Sequence, residues 1–104
     1  MTLNEICRMF AEIEEGLMYG EISFSYDNLM CAMKPGHPAD ILDEILGTIY
    51  WDVLANKEIP ISTLKSTLAD FKEFKKAFKV KELKNPIEEL SLYIKNQKEA
   101  ENDE

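Results

Sequence analysis

The sequence has few of the residues from which most enzyme and metal sites are built. Of its 104 residues, one is histidine and two are cysteine. His37 lies between Gly36 and Pro38 without a nucleophile at motif spacing, so no histidine-based triad or dyad is indicated. Cys7 and Cys31 lack the paired short spacings of structural zinc sites. We therefore expect a protein without enzymatic activity, metal or cofactor.

Long hydrophobic runs are also missing. No apolar segment approaches the roughly 20 residues that a membrane-spanning helix needs. The first ten residues, MTLNEICRMF, lack the basic region and apolar block of a secretory signal. We expect a cytoplasmic protein that does not contact a membrane, and in that compartment both cysteines should remain reduced thiols.

The composition is that of a folded chain, with 45% hydrophobic and 31% charged residues. A chain of this length supports one modest core. We predict a single compact domain over residues 1–98. The last six residues, EAENDE, have no apolar residue beyond Ala100, so residues 99–104 are predicted to be an acidic disordered tail.

Four segments space their apolar residues three and four positions apart, which predicts four helices. In the first, Thr2 and Glu5 have the spacing of a capping box. The third has Ser62 as its expected cap, and the fourth is expected to begin at Asn85 and Pro86. The apolar positions of these three helices are Leu3, Ile6, Cys7, Phe10, Ile13, Leu17, Leu64, Leu68, Phe71, Phe74 or Lys75, Phe78, Ile87, Leu90 and Ile94.

The second helical segment, residues 38–56, is the most apolar and contains the only tryptophan, so we expect the other helices to pack around it. Its apolar stripe consists of Ile41, Leu42, Ile45, Leu46, Ile49, Val53 and Leu54. Asn56 suits a left-handed residue after the helix, and Pro60 prevents simple continuation. Gly47 weakens the middle of the helix, and it either marks the close approach of a neighbouring backbone or is merely tolerated.

Between the first two helices, residues 21–26 alternate strictly between apolar and polar side chains, which predicts a strand. Residues 29–34 suit either a returning strand or a short helical turn. The predicted fold class is therefore mainly α (α+β), with about four helices and a small β-hairpin or single strand. The free edge of such a strand can pair with a second copy, which would give a homodimer.

Charge is unevenly distributed along the chain, whose net charge is −8. Residues 1–60 contain 11 acidic and 3 basic side chains, whereas residues 61–104 contain 9 of each. We expect one acidic side and one lysine-rich helix. The candidate binding residues on the acidic side are Glu5, Glu12, Glu15, Asp40, Asp43 and Glu44. A solvated surface is the alternative interpretation of these residues, and the helix dipole alone explains acids at a helix start without a metal.

The segment VLANKEIPISTLKSTLADF resembles the turn and second helix of helix-turn-helix DNA-binding proteins. There an alanine precedes the turn, and a Thr-Leu-x-x-x-Leu helix follows. The corresponding positions here are Ala55, Thr63, Leu64 and Leu68. The resemblance covers about a fifth of the chain, and the turn KEIP lacks the usual glycine. It implies that the lysine-rich helix, residues 62–79, meets DNA phosphates. Its candidate contacts are Lys65, Lys72, Lys75 and Lys76.

The sequence as a whole favours binding over chemistry. Small acidic chains without a catalytic constellation are typical of adaptors, regulatory subunits and inhibitors. We predict that this protein binds and regulates or inhibits another macromolecule, most simply a protein with a basic surface. Its carboxylates would occupy a basic nucleic-acid-binding site, as phage-type inhibitors do. The alternative is a helix-turn-helix-like regulator, and only that alternative involves nucleic acid.

Overall fold

The first helix, α1 (Leu3–Met18), begins at the predicted capping box. In this computed structural model, which describes residues 1–25 and 36–102 (the last five without their side chains), the Glu5 N–H donates to Thr2 Oγ1 at 3.2 Å. The Thr2 N–H donates in return to the Glu5 carboxylate at 3.2 Å. Two amides without helical partners are thereby satisfied. After α1 the chain turns away from the helix axis at Gly20, whose φ of +77° suits glycine.

The second helix, α2 (Pro38–Leu54), is capped by His37, for which the sequence indicated no catalytic role. His37 Nδ1 accepts the N–H of Ala39 at 3.1 Å, and Pro38 occupies the first helical turn. The predicted left-handed residue after the helix is confirmed, because Asn56 has a φ of +56°. This residue turns the chain toward the next helix.

The third helix, α3 (Ile61–Phe78), begins before the predicted cap, Ser62. Its N-cap is Pro60 and makes no side-chain hydrogen bond, so the assignment of Ser62 as the cap is wrong. A short 3-10 helix (Lys81–Leu83) then leads directly into the last helix, α4 (Lys84–Asn102). The predicted start at Asn85 is therefore also wrong. Burial of Leu83 draws the chain into a turn before Asn85, and a proline is tolerated in that first turn.

The described helices form a ring in which α1 packs on α2, α2 on α3, α3 on α4 and α4 on α1. The diagonal pair α1 and α3 meets at the centre, where the rings of Phe10 and Phe71 stack with centroids 3.8 Å apart. The expectation that α2 is the central helix is therefore wrong. The predicted apolar faces of α1, α3 and α4 are confirmed, with Phe74 rather than Lys75 buried on α3. One compact helical domain results.

The segment after α1 packs against the bundle in an irregular conformation. Ile22 lies over Gly16, where a Cβ would approach within 2.5 Å of Ile22 Cδ1. The Ser25 N–H donates to the carbonyl of Phe78 at 2.7 Å. Neither these residues nor any other part of residues 1–25 and 36–102 forms a β-strand. Residue 26 and the returning segment 29–34 of the predicted hairpin lie outside the described residues, so the homodimer through its edge remains a prediction.

None of the described helices is both long and apolar enough to cross a bilayer.

Candidate interaction surfaces

A groove of about 220 Å³ runs between α1 and α2 and combines an apolar wall with two carboxyl groups. It is lined by Ala11 and Glu14 of α1 and by Asp43, Leu46, Tyr50, Trp51 and Leu54 of α2. We call this feature the α1–α2 groove. A groove of this composition suits a ligand that is apolar along most of its length and cationic at one end.

Two large apolar side chains of the α1–α2 groove face the solvent. Trp51 is 74% exposed and Leu54 is 53% exposed. The prediction that Leu54 belongs to the buried stripe is wrong, and the tryptophan lies outside the core. The reason is helical geometry, since Trp51 follows the buried Ile49 by two residues, or about 200° of rotation. Tryptophan is enriched among the residues that contribute most to the binding energy of protein interfaces.

Glu14 and Asp43 form the polar part of the α1–α2 groove. Partial burial, the largest cause, and the neighbouring Asp43, Asp40 and Glu15 together raise the pKa of Glu14 from 4.5 to about 7. Hydrogen bonding to the Asp43 side chain is one of the causes that raise the pKa of Glu14. Near neutral pH the pair therefore holds a proton for part of the time. A cation placed between the two carboxyl groups would offset their mutual repulsion in place of that proton.

Glu14 was missed by the sequence analysis, which placed only Glu5, Glu12 and Glu15 of α1 on the acidic side. The signal that could have found it is its position between the buried Ile13 and Leu17, at the border of the apolar face. A carboxylate at such a border is partly desolvated when a second helix packs there.

The structure brings some of the predicted acidic residues together and leaves others apart. Asp40, Asp43 and Glu15 are close enough to Glu14 to affect its pKa. Glu5 instead serves the capping box, where hydrogen bonds with Thr2 lower its pKa. The remaining two, Glu12 and Glu44, are exposed on α1 and α2. We define the acidic face as Glu14, Glu15, Asp40 and Asp43.

A second surface contains most of the predicted lysines. A shallow depression of about 390 Å³ between α3 and α4 is lined by Lys72, Lys75, Lys76, Lys84, Ile87 and Glu88. We call it the lysine depression. Lys65 does not line it, whereas Lys84 does. The sequence places Lys84 eight residues beyond Lys76, and only the turn through the 3-10 helix brings the two together.

Neither His37 nor Cys7 lies in a reactive setting. His37 is engaged as the α2 cap, and its ring meets that of Phe24 edge-on at a centroid distance of 5.6 Å. Cys7 is fully buried, and burial raises the pKa of its thiol to about 11. Within the described part of the chain, no three His, Cys, Asp or Glu residues are grouped so that they could hold a metal ion.

Comparisons with protein-family models, with curated proteins and with solved structures found no match to this chain. Two surfaces of the molecule have a composition that suits binding. One is the acidic face with the adjoining α1–α2 groove, and the other is the lysine depression.

Proposed function

We propose that this protein is a non-enzymatic binding protein that regulates or inhibits another protein through the acidic face. The observation that supports this proposal is the meeting of Glu14 from α1 with Asp43 from α2. Two helices thus contribute carboxylates to one patch, next to an exposed tryptophan. Such a patch suits a partner with a basic surface.

Charge complementarity explains how such a partner would be selected. Clustered carboxylates raise the rate of encounter with basic surfaces and disfavour acidic ones. The partner's cations would also relieve the repulsion among the carboxylates of the acidic face. Where the partner's basic surface normally binds nucleic acid, occupation by carboxylates would inhibit that binding.

The proposal is tested by capturing partners from an extract of the source cells with three forms of the protein. These are the wild type, Asp40→Lys with Asp43→Lys, and Lys72→Gln with Lys75→Gln and Lys76→Gln. The material bound to each form is separated into protein and nucleic acid. We expect a protein that the wild type and the lysine variant retain and the aspartate variant loses. Circular dichroism melts verify that both variants are folded.

A second candidate function is favoured by one observation, the convergence of four lysines on the lysine depression. If that surface binds DNA, affinity should fall with salt because phosphate contacts release counterions. The lysine variant should then lose affinity for duplex DNA, and its salt slope should flatten by roughly one for each phosphate that a lysine no longer neutralises. If the aspartate variant still captures the material that the wild type binds and only the lysine variant fails to do so, this second function is supported and the first is contradicted.

A further inference from the structure

We propose that the α1–α2 groove is a receptor for one arginine side chain of the protein partner. Its guanidinium would lie between Glu14 and Asp43, and its aliphatic stem would follow Trp51 and Leu46. This inference rests on the proposed function, because it assumes a basic protein partner. It adds the residue type that is recognised and the way in which it is held.

The position of the indole supports this arrangement. Trp51 Nε1 lies 3.8 Å from the place where a Cβ on Gly47 would be, so the ring extends back along α2 over Gly47. Asp43 is one helical turn further in the same direction, a rise of about 6 Å over four residues. Asp43 and Trp51 line the same groove, so a cation held between them would lie within one helical turn of both. Cation–π attraction acts within about 6 Å of a ring centroid.

The size and lining of the α1–α2 groove fit a single side chain. Its volume of about 220 Å³ is below the roughly 300–1,000 Å³ usual for pockets that enclose a small-molecule ligand. Ala11, Leu46 and Leu54 supply an apolar wall for methylene groups. Arginine fits this groove better than lysine, because its planar guanidinium both stacks on aromatic rings and binds carboxylates through two parallel hydrogen bonds.

Arginine would take the place of the proton that the pair now holds. Among the residues that the structure describes, the charged groups that act on Glu14 are Asp43 and Asp40 of α2 and Glu15 of α1, all of them acidic. Binding of a guanidinium would favour the ionised form of Glu14 and release its proton to the solvent. Affinity should therefore rise with pH until Glu14 is fully ionised, and Glu14→Gln should remove this dependence.

Two peptides of equal charge, hexa-arginine and hexa-lysine, serve as probes. Trp51 is the only tryptophan, so its fluorescence reports directly on the α1–α2 groove. We expect hexa-arginine to change the emission of Trp51 and to bind more tightly than hexa-lysine.

Trp51→Ala should weaken hexa-arginine binding about threefold to thirtyfold. Lowering the pH from 8 to 5 should weaken it by about tenfold to a hundredfold. Tyr19→Ala, an equally exposed aromatic residue outside the groove, is the matched control and should have no effect.

Chemical-shift changes of backbone amides measure binding independently of the tryptophan. If both peptides bind the acidic face equally and neither Trp51→Ala nor pH alters the affinity, the arginine receptor is refuted while the proposed function stands. If neither peptide binds at millimolar concentration, both are refuted. Because Trp51 is largely exposed, its replacement should leave the fold intact, and a melt confirms this.

Discussion

The partial burial of Glu14 beside Asp43 should make the protein less stable as pH rises. The folded state holds the Glu14 proton more tightly than the unfolded chain does, because partial burial and neighbouring carboxylates raise its pKa to about 7. The resulting stabilisation is fully present below pH 4.5 and is lost as the pH rises through 7. At ~1.36 kcal/mol for each pH unit, the full rise corresponds to about 3 kcal/mol. Solvent reaches the groove and screens these charges, so we expect about 1 kcal/mol.

Glu14→Gln tests this magnitude, because the amide keeps the shape of the protonated acid and can donate a hydrogen bond to Asp43. We expect the variant to match the wild type at pH 4 and to be about 1 kcal/mol more stable at pH 8. In a domain of this size that difference raises Tm by about 4 °C. Glu12→Gln, an exposed substitution on the same helix, is the control and should show no such pH-dependent difference. Equal or lower stability of Glu14→Gln at pH 8 would refute the reasoning.

Three further predictions concern stability and reactivity. Leu46→Asp should prevent folding, because it places a charge where the native side chain is only 2% exposed. The control variant Leu92→Asp changes a 51% exposed side chain and should melt cooperatively near the wild-type Tm. Gly47→Ala should stabilise the protein by up to about 1 kcal/mol in urea unfolding. Among the described residues, the added methyl group would meet only the Trp51 indole, at ordinary contact distance. The Cys7 thiol should resist a disulfide reagent at pH 8 until urea unfolds the chain. Peptide mapping measures the labelling of Cys7, and labelling of the folded protein would contradict this prediction.

The features that the sequence predicts well are local ones. The capping box of Thr2 and Glu5 depends on residues three positions apart. The left-handed Asn56 depends on its own side chain and on the helix that it follows. The buried faces of α1, α3 and α4 follow from a repeat of three and four residues, which a single helix fixes before any packing occurs.

The errors arise where two local signals compete or where packing decides. Ser62 and Pro60 both suit a helix start, and the chain uses the earlier one. The last helix does not start at Asn85 as expected, because burial of Val80 and Leu83 places a 3-10 turn directly before it. The tryptophan was one reason to expect the other helices to pack around residues 38–56, although the angular position of Trp51 on α2 lies away from the buried face.

The sequence predicted the charge of the candidate site but not which residues form it. The acidic excess of residues 1–60 indicated a surface on α1 and α2, yet it did not distinguish Glu14 from the other acids of α1. That distinction requires knowing that α2 packs beside α1 with Asp43 opposite Glu14, a pairing of residues 29 positions apart. No periodicity within one helix contains this information.

The two faces of α2 show how stability and binding are divided within one helix. Leu42, Leu46 and Ile49 are buried and tie α2 to its neighbours. Asp43 and Trp51 lie one turn either side of Gly47, on the face that α1 leaves partly open. Because the exposed indole adds little to the core, replacing it should affect ligand binding far more than stability. The core of α2 can therefore hold a carboxylate and an aromatic ring at a fixed separation, which is the arrangement that a single arginine requires.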